Sequence, residues 1–289
     1  MTSKRGMTLR AQWLGRELRE LREASRLTLK EAAAHIQREG PTLSRFEAGL
    51  YPIRLPDVRT LLDLYDASAR QRESLMRLAG EVWETGWWDG YSDNLPKLII
   101  DYAWLESRAV RIQSFDAVVV PGLLQTPGYM EALIPGSDTN ADLTPFGPPF
   151  RLERQRILSA PDPPEIEAVL DESLLHRAPG GTEVLKEQLV HLIELSERPN
   201  ITIRVLPLRS PIHPSPEGTF LLFGMPEPFP EVGYVDTPAG GLYVETDRVE
   251  RLIMKFDRLR DHCLTTDESR SRIKAAADSL PQGRKARAQ

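Results

Sequence analysis

Five histidines, one cysteine and a scatter of carboxylates are the side chains of this 289-residue chain that have the chemistry for proton transfer, metal binding or nucleophilic attack. Their spacing does not assemble it. His176, His191, His213 and His262 fall on different segments, and no H-x-x-x-H or H-E-x-x-H pair occurs. Cys263 stands alone, which excludes an internal disulfide and a Cys-cluster metal site. It lies on an apolar helical pattern and reads as inert packing. His213, in SPIHPSPEGTF, is followed two positions later by Ser215, so the H-x-K pair of phosphodiester hydrolysis is missing. Gly180-Gly181 lacks the longer phosphate-cradling patterns and reads as a turn. No G-x-S-x-G elbow is present. We therefore expect no catalytic residue, no metal, no cofactor and no enzymatic activity. Four residues stand as weak candidates for touching a ligand or partner: Trp87 and Trp88 in TGWWDGYSDNLP, His213, and Glu245 near a strand end. For the aromatic pair the favoured expectation is a wedge between domains, because aromatic side chains dominate buried contacts.

A second kind of chemistry, the reading of a polyanion, has better support. In TLKEAAAHIQREGPTLSRFEAG, Thr28 and Glu31 form a T-x-x-E capping box, so a helix should begin at Leu29. Ala33 and Ile36 give it an apolar side, and the run from His35 to Gly40 breaks it. Pro41 suits the first turn of a second helix, and Gly49 suits the left-handed position just past its end. At about 100° per residue, Leu43, Phe46 and Glu47 share one side. Arg45 and Pro41 fall opposite, flanked by Thr42 and Ser44. Such a two-turn helix can face a core and a DNA major groove at once, the signature of a helix-turn-helix. The same pattern also fits an ordinary helical hairpin with a solvated polar face.

PTLSRFEAG followed by the Pro-bounded LPDVRTLLDLY resembles the lambda-repressor-like, xenobiotic-response-element class of regulators. The resemblance implies that Arg22 of the first helix forms a structural ion pair with Glu47, the residue before the closing Ala-Gly. Position 29 is Leu where that class often has a phosphate-holding Gln, which shifts phosphate contacts to Thr28 and Lys30. The DNA-binding set expected on this basis is Thr28, Lys30, Pro41, Thr42, Ser44 and Arg45.

Charge is distributed in keeping with that expectation. Residues 1–80 hold fifteen Lys or Arg against ten Asp or Glu, a net +5, and the chain as a whole is −5. A basic first module on an acidic body is what is expected where only the first part meets polyphosphate. No apolar run approaches the roughly 20 residues needed to span a bilayer. MTSKRGMTLRAQW has no apolar core after its charges, unlike a secretory signal. A cytoplasmic, nucleoid-associated protein with no membrane contact is expected.

The elements that must position these residues follow from periodicity. Helix one is predicted from Leu9 to Ser25 on Leu14, Leu18 and Leu21. After the helix-turn-helix pair, Val58, Leu61, Leu62 and Tyr65 mark a fourth helix, and Leu75, Met76, Ala79, Val82 and Trp83 a fifth. Lys97–Ser107 reads as helix and Val110–Phe115 as strand. Thr126 and Pro127 start a short helix, with Met130, Leu133 and Ile134 inward. Residues 137–149 read as a surface loop. Arg151, Arg154 and Arg156 mark a basic helix with a solvated face. Ile166–Leu170, Thr182–Glu197 and Ile201–Leu206 read as strand, helix and strand, a βαβ unit with a parallel pair. Short strands follow at Phe220–Phe223, Val232–Val235 and Leu242–Glu245, then helices over Val249–Leu259 and Glu268–Leu280. The expected class is α+β multidomain: an all-α five-helix bundle followed by an α/β domain with a mixed sheet. The expected boundaries are 1–82 for the helix-turn-helix domain, 83–109 for a connecting segment, 110–278 for the α/β domain and 279–289 for a disordered basic tail.

The second half carries its own resemblance. VPGLLQTPGYMEAL, VLDESLLHR, GGTEVLKEQL, PNITIRVLP and the run from LYVE to FDRLR, in this order, resemble the WhiJ-type regulators of filamentous actinobacteria. That resemblance implies a large domain of unassigned biochemistry and a small partner protein encoded nearby, in a toxin–antitoxin-like arrangement. The function expected is a sequence-specific, homodimeric transcriptional regulator, a repressor, on double-stranded DNA. Its C-terminal domain would be switched by an unknown small-molecule ligand or by the partner. The alternative is a toxin–antitoxin-type protein whose C-terminal domain is an enzyme or a docking module.

Overall fold

The computed structural model describes residues 8–133, 147–210, 212–237 and 240–281. The chain divides into two compact units. The first runs to Ser92 and also takes in Pro96–Asp101 and Glu227–Phe229; the second holds Asp93–Leu95, Tyr102–Pro226 and the chain from Pro230.

Five helices build the first unit: α1 (Leu9–Ala24), α2 (Leu29–His35), α3 (Gly40–Glu47), α4 (Leu55–Leu64) and α5 (Ala69–Trp83). Each starts on a recognisable signal. Thr8, Thr28 and Ser68 cap α1, α2 and α5, with full capping boxes at α2 and α5, while α3 and α4 have proline in the first turn. Helix α3 ends on Gly49 at φ +67°. The Gly49 N–H donates to Phe46 O (2.9 Å) and the Leu50 N–H to Arg45 O (3.0 Å), a Schellman closure. The helices are joined by an apolar core in which Leu18, Leu43, Val58, Leu61, Leu62 and Ala79 are fully buried. Each large member contributes roughly 1.5–3 kcal/mol. Trp87–Tyr91 winds into a 3-10 turn held by Asp89 on the Gly86 N–H (2.8 Å).

The second unit is a six-stranded mixed sheet: β1 (Arg111–Asp116), β2 (Glu165–Asp171), β3 (Ile201–Leu206), β4 (Phe220–Gly224), β5 (Val232–Thr237) and β6 (Gly240–Val244). The strand order is β3-β2-β1-β4-β5-β6. The β1–β2 and β2–β3 pairs are parallel, and β4, β5 and β6 add antiparallel to β1 in turn. Around it run α6 (Lys97–Arg108), of which only the part from Tyr102 belongs to this unit, α7 (Pro127–Leu133), α8 (Gly147–Gln155), α9 (Thr182–Leu195), α10 (Asp247–His262) and α11 (Thr266–Ser279). On one face Phe115, Val169, Leu206, Phe220 and Leu222 bury against Val249, Phe256 and Leu259 of α10. Tyr102 of α6 meets Phe223 and Tyr234 edge-on, at centroid distances of 5.3 and 4.9 Å. The α+β class, the helical first region and the mixed sheet are as the sequence indicated.

Several local expectations are corrected. Arg154 is not on a solvated face: its Nε and Nη2 donate to Glu106 at 2.6 Å each, and the guanidinium lies 4.8 Å from the Tyr102 ring centre. Burial opposes that charge, and Glu106 more than offsets it, so Arg154 titrates above its ordinary range. Residues 147–149 open α8 instead of continuing a loop; 137–146 lie outside the described residues. Val110 precedes β1 and is exposed, and α9 stops at Leu195. Leu133 is half-buried, while Ile134 lies outside the described residues. Of the tail expected from 279, Ser279 still belongs to α11, and residues 282–289 lie outside the described residues.

Candidate nucleic-acid interface

Helix α3 is held from beneath by a buried ion pair. Arg22 Nε donates to Glu47 Oε1 at 2.7 Å and Nη2 to Oε2 at 2.9 Å, a bidentate fork. Nη1 donates to Leu27 O at 2.9 Å, closing off the α1–α2 turn. Both residues are 8% exposed. The hydrogen bonds that Arg22 donates to Glu47 hold its guanidinium above the ordinary range, and burial followed by Glu47 pushes the Tyr65 hydroxyl up. One fork thus ties α1, the turn after it and the last turn of α3. Removing either partner strands the other charge in the core, at a cost of roughly 3–5 kcal/mol.

Two glycines set how closely α1 and α3 approach. A Cβ built on Gly15 would lie 2.5 Å from Glu47 O and 2.6 Å from Phe46 O, and one on Gly49 2.7 Å from Gln12 Cα. Glycine in the middle of a helix costs stability by itself, so Gly15 is explained by this contact. Sequence reasoning missed Gly15; the signal available was a lone Gly inside the helical pattern of α1.

The opposite side of α3 is open. Pro41, Ser44 and Arg45 are exposed, and Thr42 is half-buried, while Leu43 and Glu47 point inward. A hollow of about 460 Å³, whose lining includes Arg19, Leu29 and Ser44, leaves the flank of α3 accessible. Lys30 is exposed on α2. Thr28 is exposed too, but its hydroxyl donates to Glu31 Oε2 (2.7 Å) and its N–H to the same oxygen (2.8 Å). Those bonds hold the Glu31 carboxyl below its usual range. Thr28 has spent both donors inside its own cap, beside a carboxylate, which is a poor setting for holding a phosphate.

The four candidates fall on two units, a pair on each. Trp88 is buried and Trp87 half-buried in the first unit, with ring centres 5.9 Å apart. In the second unit His213 rests on the Phe115 ring (5.2 Å), and its Nδ1 accepts the Ser215 N–H (3.2 Å). Glu245 follows β6, three strands from β1 in the sheet order, a separation of about 14 Å at the usual strand spacing. Among the described residues no group of three or more His, Cys, Asp and Glu is placed to hold a metal ion. Burial pushes the Cys263 thiol up to about 12, which leaves it a thiol and unreactive at neutral pH. Among the described residues no helix is long and apolar enough to cross a membrane.

A short helix pinned by a buried fork, with a cationic polar outer face, defines a helix-turn-helix protein, and residues 13–75 match a helix-turn-helix domain. Residues 99–275 match a domain of unknown function (DUF5753). That match covers more than half of the chain, and the chain belongs to this family. No curated protein and no solved structure matches it.

Proposed function

We propose that the protein is a sequence-specific transcriptional repressor of the lambda-repressor-like, WhiJ-type kind found in filamentous actinobacteria. Two copies insert α3 into successive major grooves, about one helical turn apart, on a pseudo-palindromic site. Arg45 meets a guanine edge or a phosphate, and Ser44 and Thr42 add shorter polar contacts. Pro41, which has no N–H, packs on a thymine methyl. Lys30, more than Thr28, holds the backbone. The domain spanning residues 99–275 acts by binding a ligand or a small partner protein encoded nearby, and not by catalysis. The separation of His213 from Glu245 supports that reading.

The observation that carries the proposal is the two-sided character of α3: Leu43 and Glu47 buried, Pro41, Ser44 and Arg45 exposed. The test is Arg45→Ala on duplexes selected by the full-length protein from a random pool at stated salt. Loss of roughly 1–3 kcal/mol of specific binding, with melting temperature kept, is expected. Unchanged affinity removes Arg45 from the interface.

A further inference from the structure

Helix α1 carries α3 through Gly15 in its middle and Arg22 in its last turn, and its first turns are gripped by residues that lie far away in the sequence. The first N–H of α1, on Leu9, donates to Asp101 Oδ2 at 3.1 Å. One turn on, Trp13 packs on Phe229 with ring centres 6.2 Å apart. Phe229 belongs to the segment Glu227–Phe229, which α5 fastens in place: Arg70 Nη2 lies 3.1 Å from Glu227 Oε1, and Arg77 Nη1 donates to Glu227 O at 3.1 Å. Asp101 and Phe229 both fall inside the matched family domain, yet both are part of the helical unit.

The Asp101 grip is held against a cost. Its carboxylate is buried, and Oδ1 has no hydrogen-bond partner among the described residues. Burial raises the carboxyl to about 6, against the pull of the Leu9 N–H and of Arg10 and Lys97. Along the helix, Leu9 lies about 9 Å from Gly15 and about 20 Å from Arg22 at 1.5 Å per residue. Between them α1 is a continuous rod: it has no proline, and its one glycine is pressed against α3.

We propose that α1 is the transmission element of the protein, with Asp101 and Phe229 fixing its position and α1 in turn fixing α3, so that release of the two grips withdraws the reading helix. The proposal rests on the DNA-reading role given to α3 above and names how that role is regulated. A displacement of α1 by a fraction of a turn is resisted by rigid carbonyls at Gly15, so α3 moves with it and is not left behind.

The test uses the full chain with Asp101→Ala and Phe229→Ala, at a temperature well below every melting transition. Hydrogen exchange of the amides from Leu43 to Gly49 is measured without DNA, and affinity is measured on the duplex selected by the wild type. Faster exchange in α1 and α3 but not in α4 and α5, with binding weakened roughly 5- to 50-fold in both variants, is expected. A merely structural role would speed exchange evenly through α1 to α5 and leave low-temperature affinity unchanged; that outcome overturns the proposal, as does unchanged exchange in α3. Should Asp101→Ala fail to fold, Phe229→Leu carries the same comparison. If the wild type selects no sequence, the DNA-reading role falls, while the exchange measurement still decides whether α1 transmits.

Discussion

Replacing Gly15 with alanine should destabilise the helical unit, although alanine is the better helix former. Propensity alone favours the change by roughly 0.5–1 kcal/mol. Sterics oppose it, because the new methyl would sit 2.5 and 2.6 Å from two backbone carbonyl oxygens, Glu47 O and Phe46 O, where ordinary contact begins at 3.4 Å. Neither oxygen is the end of a flexible side chain, so the last turn of α3 must retreat by the better part of an ångström. Overpacking of that kind costs about 1–3 kcal/mol. The net loss should be near 1–2 kcal/mol, or roughly 5–10 °C for a unit of this size. Gly80 in α5 supplies the control, since a Cβ there meets nothing within 4 Å. Gly80→Ala should raise stability by about 0.5–1 kcal/mol. Four of the five tryptophans, Trp13, Trp83, Trp87 and Trp88, lie in the helical unit, so tryptophan fluorescence during urea titration of the full chain reports mainly on it. If Gly15→Ala shifts the midpoint in the same direction as Gly80→Ala, the close approach of α1 and α3 is not what glycine is there for.

Two further perturbations follow from buried charge. Glu47→Ala should lower stability by roughly 3–5 kcal/mol by stranding Arg22, and thermal melting decides it; DNA affinity lost at unchanged stability would refute the structural assignment. Asp116, 4% exposed and hydrogen-bonded by Ser114 (2.6 Å), has its carboxyl raised by burial to about 7. Its folded value lies above the unfolded value of about 3.9, so its contribution is fully present below pH ~4 and is lost as pH rises toward 7. The loss is on the order of 4 kcal/mol for the sheet unit. Asp116→Asn should flatten this part of the stability profile between pH 5 and pH 8 in urea denaturation; an identical slope in both proteins counts against the burial argument.

Much of this architecture is written locally. Thr28 with Glu31, Pro41 and Gly49 each act within a few residues, so the bounds of α2 and α3 follow from short-range chemistry. Ile201–Val205 alternates with period two because one side of β3 is less covered than the other, and Leu206 closes the strand with a second buried residue in a row. What is not local is not legible. Arg154 looks like any surface arginine in a basic run, and only the fold brings Glu106 and Tyr102 to it. Nothing in the spacing of β4 says that it pairs with β1, or that residues 227–229 join the helical unit. At the interface, the polar face of α3 could be read from periodicity alone. The commitment of Thr28 to its own cap, and the role of Gly15, depend on distances that no pattern states.

The strand order carries a consequence for synthesis. Phe115 pairs with Phe220, more than one hundred residues later, so the sheet cannot close until most of the chain has left the ribosome. Helices α1 to α5 need only neighbours to collapse, and chains rich in short-range contacts fold fastest. A newly made chain therefore can form its helix-turn-helix unit while Phe229, which packs on Trp13, is still unsynthesised. Every nascent copy passes through an interval in which the bundle stands without the ring that will pack on its first helix.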